Sequence, residues 1–488
     1  MDQSPALAPT ALSPRKQEIR AFADRMAADR DRWIERNRSF YQDDWAYMRF
    51  LVPEGQKVLE LGCGTGQLLA ALKPSLGIGV DLSPAMLDKA RAANPDYTFI
   101  EGDIENPAVI EALAEHGPFD AIILSDTIGY LEDCQQALAN LHRLCGHETR
   151  IVVAYYSKAW EPILSVGETL GVKMPHIQQN WLSSADIANL LQLADFDTIK
   201  RDWRQLLPRR LLGLGTLINR YLGTLPVLRR ACLRNYVVAR SLKAIENQKQ
   251  PSLTVLIPCR NEAGNIEPAV TRLPKICDDL EIMFVEGNSQ DNTVDEIKRV
   301  IAAYPHLDIK FLQQDGKGKG DAVRKGFAHA RGDILMILDA DLTVPPEDLP
   351  KFYDVLASGK CEFVNGTRLV YPMEKEAMRF LNTIANHGFS ILFSWLLNSR
   401  FTDTLCGTKG LYKKDYEKIV AGRSYFGDFD PFGDFDLIFG ASKQNLKILE
   451  VPIRYAARTY GSTQISRFAD GWLLIKMVLL AYRKLKAW

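Results

Sequence analysis

Two stretches of the chain set glycines and carboxylates at spacings that can do chemistry. In Glu60-Leu61-Gly62-Cys63-Gly64-Thr65-Gly66 the glycines alternate directly after an apolar run and before the helical pattern Gln67 to Leu72. Such a backbone can turn tightly and approach a ligand closely. Asp81 closes the next apolar run, about twenty residues on, where a carboxylate can accept hydrogen bonds from both hydroxyls of a ribose. Asp103, after Gly102, ends a third run and can reach the exocyclic amine of an adenine. The other stretch is Asp339-Ala340-Asp341, which abruptly ends the run Ile334 to Leu338. Carboxylates at i and i+2 on an extended end can share one divalent cation. A Mg²⁺ or Mn²⁺ ion held there can bridge the two phosphates of a nucleotide diphosphate sugar.

The elements that must position these groups form two series. Val58 to Leu61, Gly77 to Asp81, Tyr97 to Glu101, Ala121 to Leu124 and Ile151 to Ala154 read as strands, with helical segments such as Ala85 to Ala93 and Cys134 to Leu144 between them. A second series runs through Leu253 to Ile257, Ile282 to Val285, Ile309 to Leu312, Ile334 to Leu338 and Cys361 to Val364. Alternation of this kind predicts an α/β protein of two doubly wound domains, each on a parallel sheet. The expected divisions are an N-terminal lead-in and helix over 1–40, a first domain over 41–240, a polar linker over 241–251 and a second domain over 252–488. At 488 residues the chain is too long for one ordinary core.

Composition narrows the classes. Lys plus Arg and Asp plus Glu each total 60, and the resulting zero net charge gives no global reason to expect a nucleic-acid partner. Hydrophobic content of 47% and charged content of 25% fit a globular protein with sizeable cores. The 8 cysteines fall at no metal-binding or Cys-x-x-Cys spacing, which points to a reducing cytosol. The start of the chain shows no basic, apolar secretory pattern, so a cytoplasmic location is expected. No run is long and apolar enough to span a bilayer; Met378 to Leu397 is interrupted by Asn382, Asn386 and His387.

The glycine spacing G-x-G-x-G differs from the G-x-G-x-x-G of dinucleotide binders, which weakens a nicotinamide or flavin reading. With Asp81 and Asp103 in order, residues 40–200 resemble the class I S-adenosylmethionine-dependent methyltransferases, which have a Rossmann-like fold. The resemblance implies Glu60, Gly62, Gly64 and Gly66 around the methionine portion of S-adenosylmethionine (SAM), Asp81 at the ribose and Asp103 at the adenine. Asp126, after Ser125, falls where that family often lines its acceptor pocket. Tyr155 and Tyr156 suit core or pocket equally.

In the second series, Ile257-Pro258-Cys259-Arg260-Asn261-Glu262, Glu286 to Thr293 and Gly316 to Ala322 surround the Asp-x-Asp pair. Residues 252–460 thereby resemble the GT-A fold, family 2 glycosyltransferases. Gly366-Thr367-Arg368, Asp403 to Lys409 and Val451 to Gly461 look like the dolichyl-phosphate mannose synthase branch. By that resemblance Pro258, Glu262 and Glu286 line the nucleoside pocket, and Asp339 and Asp341 hold the metal. Arg368, Lys409 and Arg458 meet donor and acceptor phosphates. Thr343 stands where the family often places a third metal ligand. Asp434, before a helical segment, is a candidate general base for an acceptor hydroxyl, with a helix cap as the plain alternative.

These features lead us to expect a bifunctional enzyme. It would pass sugar from a UDP- or GDP-linked donor to a lipid-phosphate or glycan acceptor and methylate a small molecule or the glycan. In one alternative only the glycosyltransferase is active and the first domain is a cofactor-binding regulatory or scaffold module. Trp472 to Trp488 is basic and amphipathic and suits peripheral contact with an inner membrane face. Leu206 to Arg240 has a similar composition and is expected to be a domain-packing helix, with membrane contact as the alternative.

Overall fold

The computed structural model describes residues 12–245, 250–371, 380–426, 435–456, 458, 460 and 467–487. The chain divides into two units, Met1–Glu246 and Asn247–Trp488.

In the first unit the apolar runs become strands β1 (Lys57–Leu61), β2 (Leu76–Asp81), β3 (Thr98–Glu101), β4 (Phe119–Ser125) and β5 (Cys145–Tyr156). β6 (Phe196–Arg204) and β7 (Arg234–Ser241) complete a sheet of order β3-β2-β1-β4-β5-β7-β6. β7 lies antiparallel to both neighbours, and the remaining pairings are parallel. β1, β4 and the middle of β5 are buried on both faces, with Leu59, Leu61, Ile122, Leu124, Ile151 and Val153 on one and Val58, Ile123 and Val152 on the other. This is why they read as unbroken apolar runs. The order reverses between β1 and β4, the switch point of a doubly wound sheet, where ligands meet the carboxyl ends of strands.

The expected helix over Leu206 to Arg240 is not what forms. Short turns and a π-helical stretch, Ile218–Leu222, fill its first part, and its last seven residues, Arg234 to Arg240, belong to β7. All of β7 is buried. Arg234 and Arg240 survive there by ion-pairing with acids from other elements, as a buried charge must. An arginine at each end of the strand disguises it as an amphipathic pattern.

The second unit repeats the plan. β8 (Leu253–Cys259), β9 (Leu280–Glu286), β10 (Asp308–Gln313), β11 (Ile334–Ile337), β12 (Phe363–Thr367), β13 (Lys409–Tyr412) and β14 (Ile448–Pro452) form a sheet of order β10-β9-β8-β11-β13-β12-β14. Here β13 is the antiparallel strand. The switch point falls between β8 and β11, around a core that includes Val255, Ile257, Phe284, Met336 and Phe352. The C-terminal helix Arg467–Ala481 buries Leu474, Met477 and Ala481 and exposes Trp472, Ile475 and Leu479. Its continuation is fixed by Lys486 Nζ donating to Asn398 Oδ1 at 2.7 Å and by the Tyr482 and Trp395 rings 5.5 Å apart. Among the described residues, no helix is long and apolar enough to cross a membrane.

Candidate functional sites

At the first switch point the loop after β1 carries Gly62, Gly64 and Gly66, all with positive φ. Their surroundings separate their roles. A Cβ on Gly66 would stand 2.8 Å from the Phe99 ring, and one on Gly62 would collide with Thr127, whereas one on Gly64 would meet nothing within 4 Å. Gly62 and Gly66 therefore pack the loop, and Gly64 presents bare backbone to open space. Gly62, Gly64, Asp81 and Asp103 all line a cavity of about 420 Å³.

The acids of this site have few cationic partners. Glu60 is 3% exposed and its Oε2 has no hydrogen-bond partner. Burial pushes its carboxyl up to about 8, with the nearby Asp81 adding to the shift. Asp81 accepts from the Gly64 N–H at 2.8 Å and from the Ser83 N–H at 2.9 Å. Burial still raises its carboxyl, against those two bonds. Asp103 accepts from Lys16 Nζ at 2.5 Å, and Lys16 also pairs with Glu105 at 3.0 Å.

Lys16 comes from the helix Pro14–Ala27. Within residues 1–40, expected as a lead-in and helix, Ile19, Phe22, Met26, Arg30, Trp33 and Phe40 line the same cavity. The helix is pinned where Ser83 Oγ donates to Asp24 at 2.5 Å. The far end of the cavity rests on a network that no motif in the sequence announces. Arg234, 0% exposed, donates through Nε to Asp44 at 3.0 Å and through Nη1 to Asp126, and Tyr236 Oη also bonds Asp44. Asp126 has φ 61°. Of the two tyrosines, Tyr155 is core, donating to the Asn180 carbonyl at 2.6 Å, and Tyr156 lines the cavity.

At the second switch point both acids of the Asp-x-Asp pair meet a base. Asp339 pairs with Lys319 Nζ at 2.6 Å, and Asp341 with Arg458 Nη2 at 2.6 Å. Burial alone would raise the Asp339 carboxyl, but Lys319, Lys409 and Arg368 hold it below the usual carboxylate range. Asp341 Oδ1 also accepts from the Thr343 hydroxyl at 2.9 Å. Arg458 reaches Glu262 at 3.4 Å, and Glu262 accepts from Asn265 at 2.7 Å. Glu286, fully buried at the end of β9, accepts from the Ser289 N–H, and its Oε2 has no partner. Pro258, half-buried, lies on β8.

Arg368 is held by Asp403, with Nε to Oδ2 at 2.6 Å and Nη2 to Oδ1 at 2.8 Å. Lys409 is buried and donates to the Cys406 carbonyl. Both therefore lend charge to the site from behind it. Gly407 lets this loop approach, since a Cβ there would collide with Asp339 Oδ2. Lys319 is legible as part of the run Gly316 to Gly320, and Gly407 falls within the stretch Asp403 to Lys409. Asp434 lies outside the described residues, immediately before the helix Phe435–Lys443. Among the described residues, no group of three or more His, Cys, Asp or Glu could hold a metal ion.

The strand orders and the acids at their switch points define two doubly wound α/β units, each with a candidate ligand site at the carboxyl ends of its strands. Residues 32–201 match the family model for Methyltransferase domain, and residues 254–419 match that for Glycosyl transferase family 2. The chain thus joins a methyltransferase domain to a family 2 glycosyltransferase domain. It is 28% identical over 225 residues to the dolichol-phosphate mannosyltransferase of Saccharomyces cerevisiae, covering 44% of this chain and 80% of the yeast protein. It is 26% identical over 240 residues to the low-salt glycan biosynthesis hexosyltransferase Agl6 of Haloferax volcanii, covering 49% of this chain but only 56% of Agl6. Against the dolichol-phosphate mannosyltransferase of Pyrococcus furiosus the identity is 27%, over 44% of this chain and 59% of that protein.

Among solved structures, a SAM-dependent methyltransferase of Thermotoga maritima overlaps 46% of this chain and 99% of its own, at 19% identity and TM-score 0.35. Glucosyl-3-phosphoglycerate synthase of Mycobacterium tuberculosis overlaps 48% of this chain and 80% of its own, at 16% identity and TM-score 0.37.

Proposed function

We propose that the chain is a bifunctional enzyme. The second unit transfers a glycosyl group from a UDP- or GDP-linked sugar to a lipid-phosphate or glycan acceptor, and the first methylates a small molecule or the glycan with SAM. Support comes above all from the contrast in charge at the two switch points. The first offers an unpartnered buried carboxylate oxygen, on Glu60, beside a bare glycine backbone, which suits a cationic, amine-bearing cofactor. The second surrounds its acids with Lys319, Arg458, Arg368 and Lys409, which suits a diphosphate.

In the first unit the residues present fit SAM. Gly64 leaves room for its methionine portion, Glu60 supplies an acceptor for the ammonium, Asp81 one for the ribose and Asp103 one for the adenine amine. Lys16 must then yield Asp103 to the base. Tyr41, Tyr130 and Tyr156 line the cavity and offer π-faces to a sulfonium. SAM when bound supplies the methyl group; these residues align it with the acceptor, and alignment is most of what direct displacement needs.

In the second unit Asp339 and Asp341 are the groups to hold Mg²⁺ or Mn²⁺, which when bound neutralises the leaving diphosphate. Lys319 and Arg458 can exchange a carboxylate for a phosphate oxygen. The spare oxygen of Glu286 can accept from a base N–H, with Pro258 and Glu262 beside it. Asp434 is the proposed general base for an alcohol acceptor; Asp434→Asn with undiminished turnover at saturating donor removes it from the mechanism. The exposed face of the C-terminal helix, Trp472, Ile475 and Leu479, supports peripheral contact with the inner membrane face.

Calorimetry with SAM, NAD and a panel of nucleotide sugars plus Mn²⁺ tests the whole. SAM and one nucleotide sugar should bind, and slow donor hydrolysis should vanish in Asp341→Ala. Binding of NAD in place of SAM, or hydrolysis that survives the substitution, overturns the corresponding half.

A further inference from the structure

The segment between β6 and β7 exposes more apolar surface than folding explains. Leu212, Leu214, Leu217, Tyr221, Leu222 and Val227 are all exposed, Val227 by 80% and Leu212 by 109%. The segment is nonetheless well held. Asn219 closes on the Leu207 backbone in both directions at 2.8 Å, Cys232 Sγ donates to the Gly223 carbonyl at 3.3 Å, and Gly215 has no room for a Cβ beneath the Arg209 carbonyl. Leu212 has φ 56°, a left-handed conformation that a leucine seldom takes. Strain kept to hold an apolar side chain wholly in solvent suggests a use for it.

The charges that this segment itself carries have one sign. Arg209, Arg210, Arg220 and Arg230 are exposed, and no Asp or Glu occurs between Asp202 and Glu246. Arg210 reaches Asp43, on another element, at 3.5 Å. A second exposed apolar face adjoins the first. Trp160 Nε1 donates to the Ala231 carbonyl at 2.8 Å, and the helix Glu161–Thr169 that follows Trp160 exposes Ile163 and Val166, with Leu170 just beyond it. Pro208 and Arg209 from one side, and Trp160 and Ile163 from the other, line the cavity of the first unit.

We propose that this face, residues 206–231 together with the helix Glu161–Thr169, docks on an anionic lipid surface, its leucines entering the headgroup layer and its arginines pairing with lipid phosphates. Between 206 and 231 the apolar side chains are set among arginines with no acid in the segment, and of the two acids on the adjoining helix, Glu161 and Glu168, the second pairs with Lys173; a basic, apolar face of this kind matches that boundary. Docking brings the rim of the cavity to the lipid–water boundary. It stands on the patch itself; it rests on the methyltransferase reading only for what it serves.

The test uses the full-length chain with an environment-sensitive thiol dye at Leu212→Cys and, separately, Ile163→Cys. The wild-type chain treated with the same dye gives the baseline. Leu193→Cys is a control, since Leu193 is exposed beside the opposite end of β6, one strand length away. Vesicles of phosphatidylglycerol and phosphatidylcholine should shift the dye at 212 and 163 to the blue and leave it unchanged at 193; pure phosphatidylcholine should shift none. Arg209→Gln/Arg220→Gln/Arg230→Gln should weaken the shift at 212 by on the order of 10²-fold in lipid concentration. A dye at 212 or 163 that ignores anionic vesicles overturns the proposal even if the chain floats with them through its C-terminal helix. So does a shift without vesicles that grows with protein concentration, which marks a second copy of this chain as the occupant. SAM binding is measured separately, so its failure sinks the methyltransferase reading and leaves docking standing.

Discussion

The two units place acids at the carboxyl ends of parallel strands and then treat them in opposite ways. In the first, Glu60 is buried with an unpartnered oxygen and Asp81 is held by backbone N–H groups, so burial raises both carboxyls. In the second, Asp339 and Asp341 each meet a cationic side chain, and surrounding charge holds Asp339 down. The same fold plan therefore pairs the Asp-x-Asp acids of one unit with cationic side chains and holds Asp81 of the other through backbone N–H groups. Asp103 with Lys16 and Asp126 with Arg234 depart from this contrast in the first unit, and Glu286, buried with an unpartnered oxygen, departs from it in the second.

That contrast can be broken at several points. The largest effect is expected at Arg234→Met, which leaves the buried Asp44 and the half-buried Asp126 without their shared cation. It should cost the first unit about 3–5 kcal/mol in calorimetric unfolding and leave the second unit's transition in place; a loss shared by both would refute their independence. Asp341→Asn should lower donor turnover on the order of 10²- to 10³-fold, with SAM affinity unchanged in calorimetry.

Glu60→Gln sharpens the comparison through pH. Below about 4.5 the folded and unfolded chains both hold the Glu60 proton, and it contributes nothing. Between there and about 8 only the unfolded chain ionises, so stability of the first unit falls as pH rises, by at most about 3 kcal/mol at pH 7. The glutamine variant should flatten that slope in a melting series; an unchanged slope would mean Glu60 is ionised in the folded chain. The smallest effect is expected at Asp81→Asn, which weakens SAM binding about tenfold and leaves nucleotide-sugar binding untouched.

Much of both sites is legible in the amino-acid order. Strands buried on both faces are continuous apolar runs, and the candidate acids and glycines stand at or near their ends, so Glu60, Asp81, Asp103, Asp339 and Asp341 are picked out by local position. β7 does not, because its two arginines imitate a solvated face and their counter-charges lie elsewhere in the chain. Residues from Lys16 to Phe40 likewise read as a preface, although they roof the first cavity.

The succession of strands, loops and acids depends on residues within a few positions of one another, and for that the linear order of side chains was enough. Which base meets which acid was settled by folding alone. Lys16 finds Asp103 across 87 positions, Arg458 finds Asp341 across 117, and Arg234 finds Asp44 across 190. Charge pairing acts through space, and no spacing along the chain encodes it.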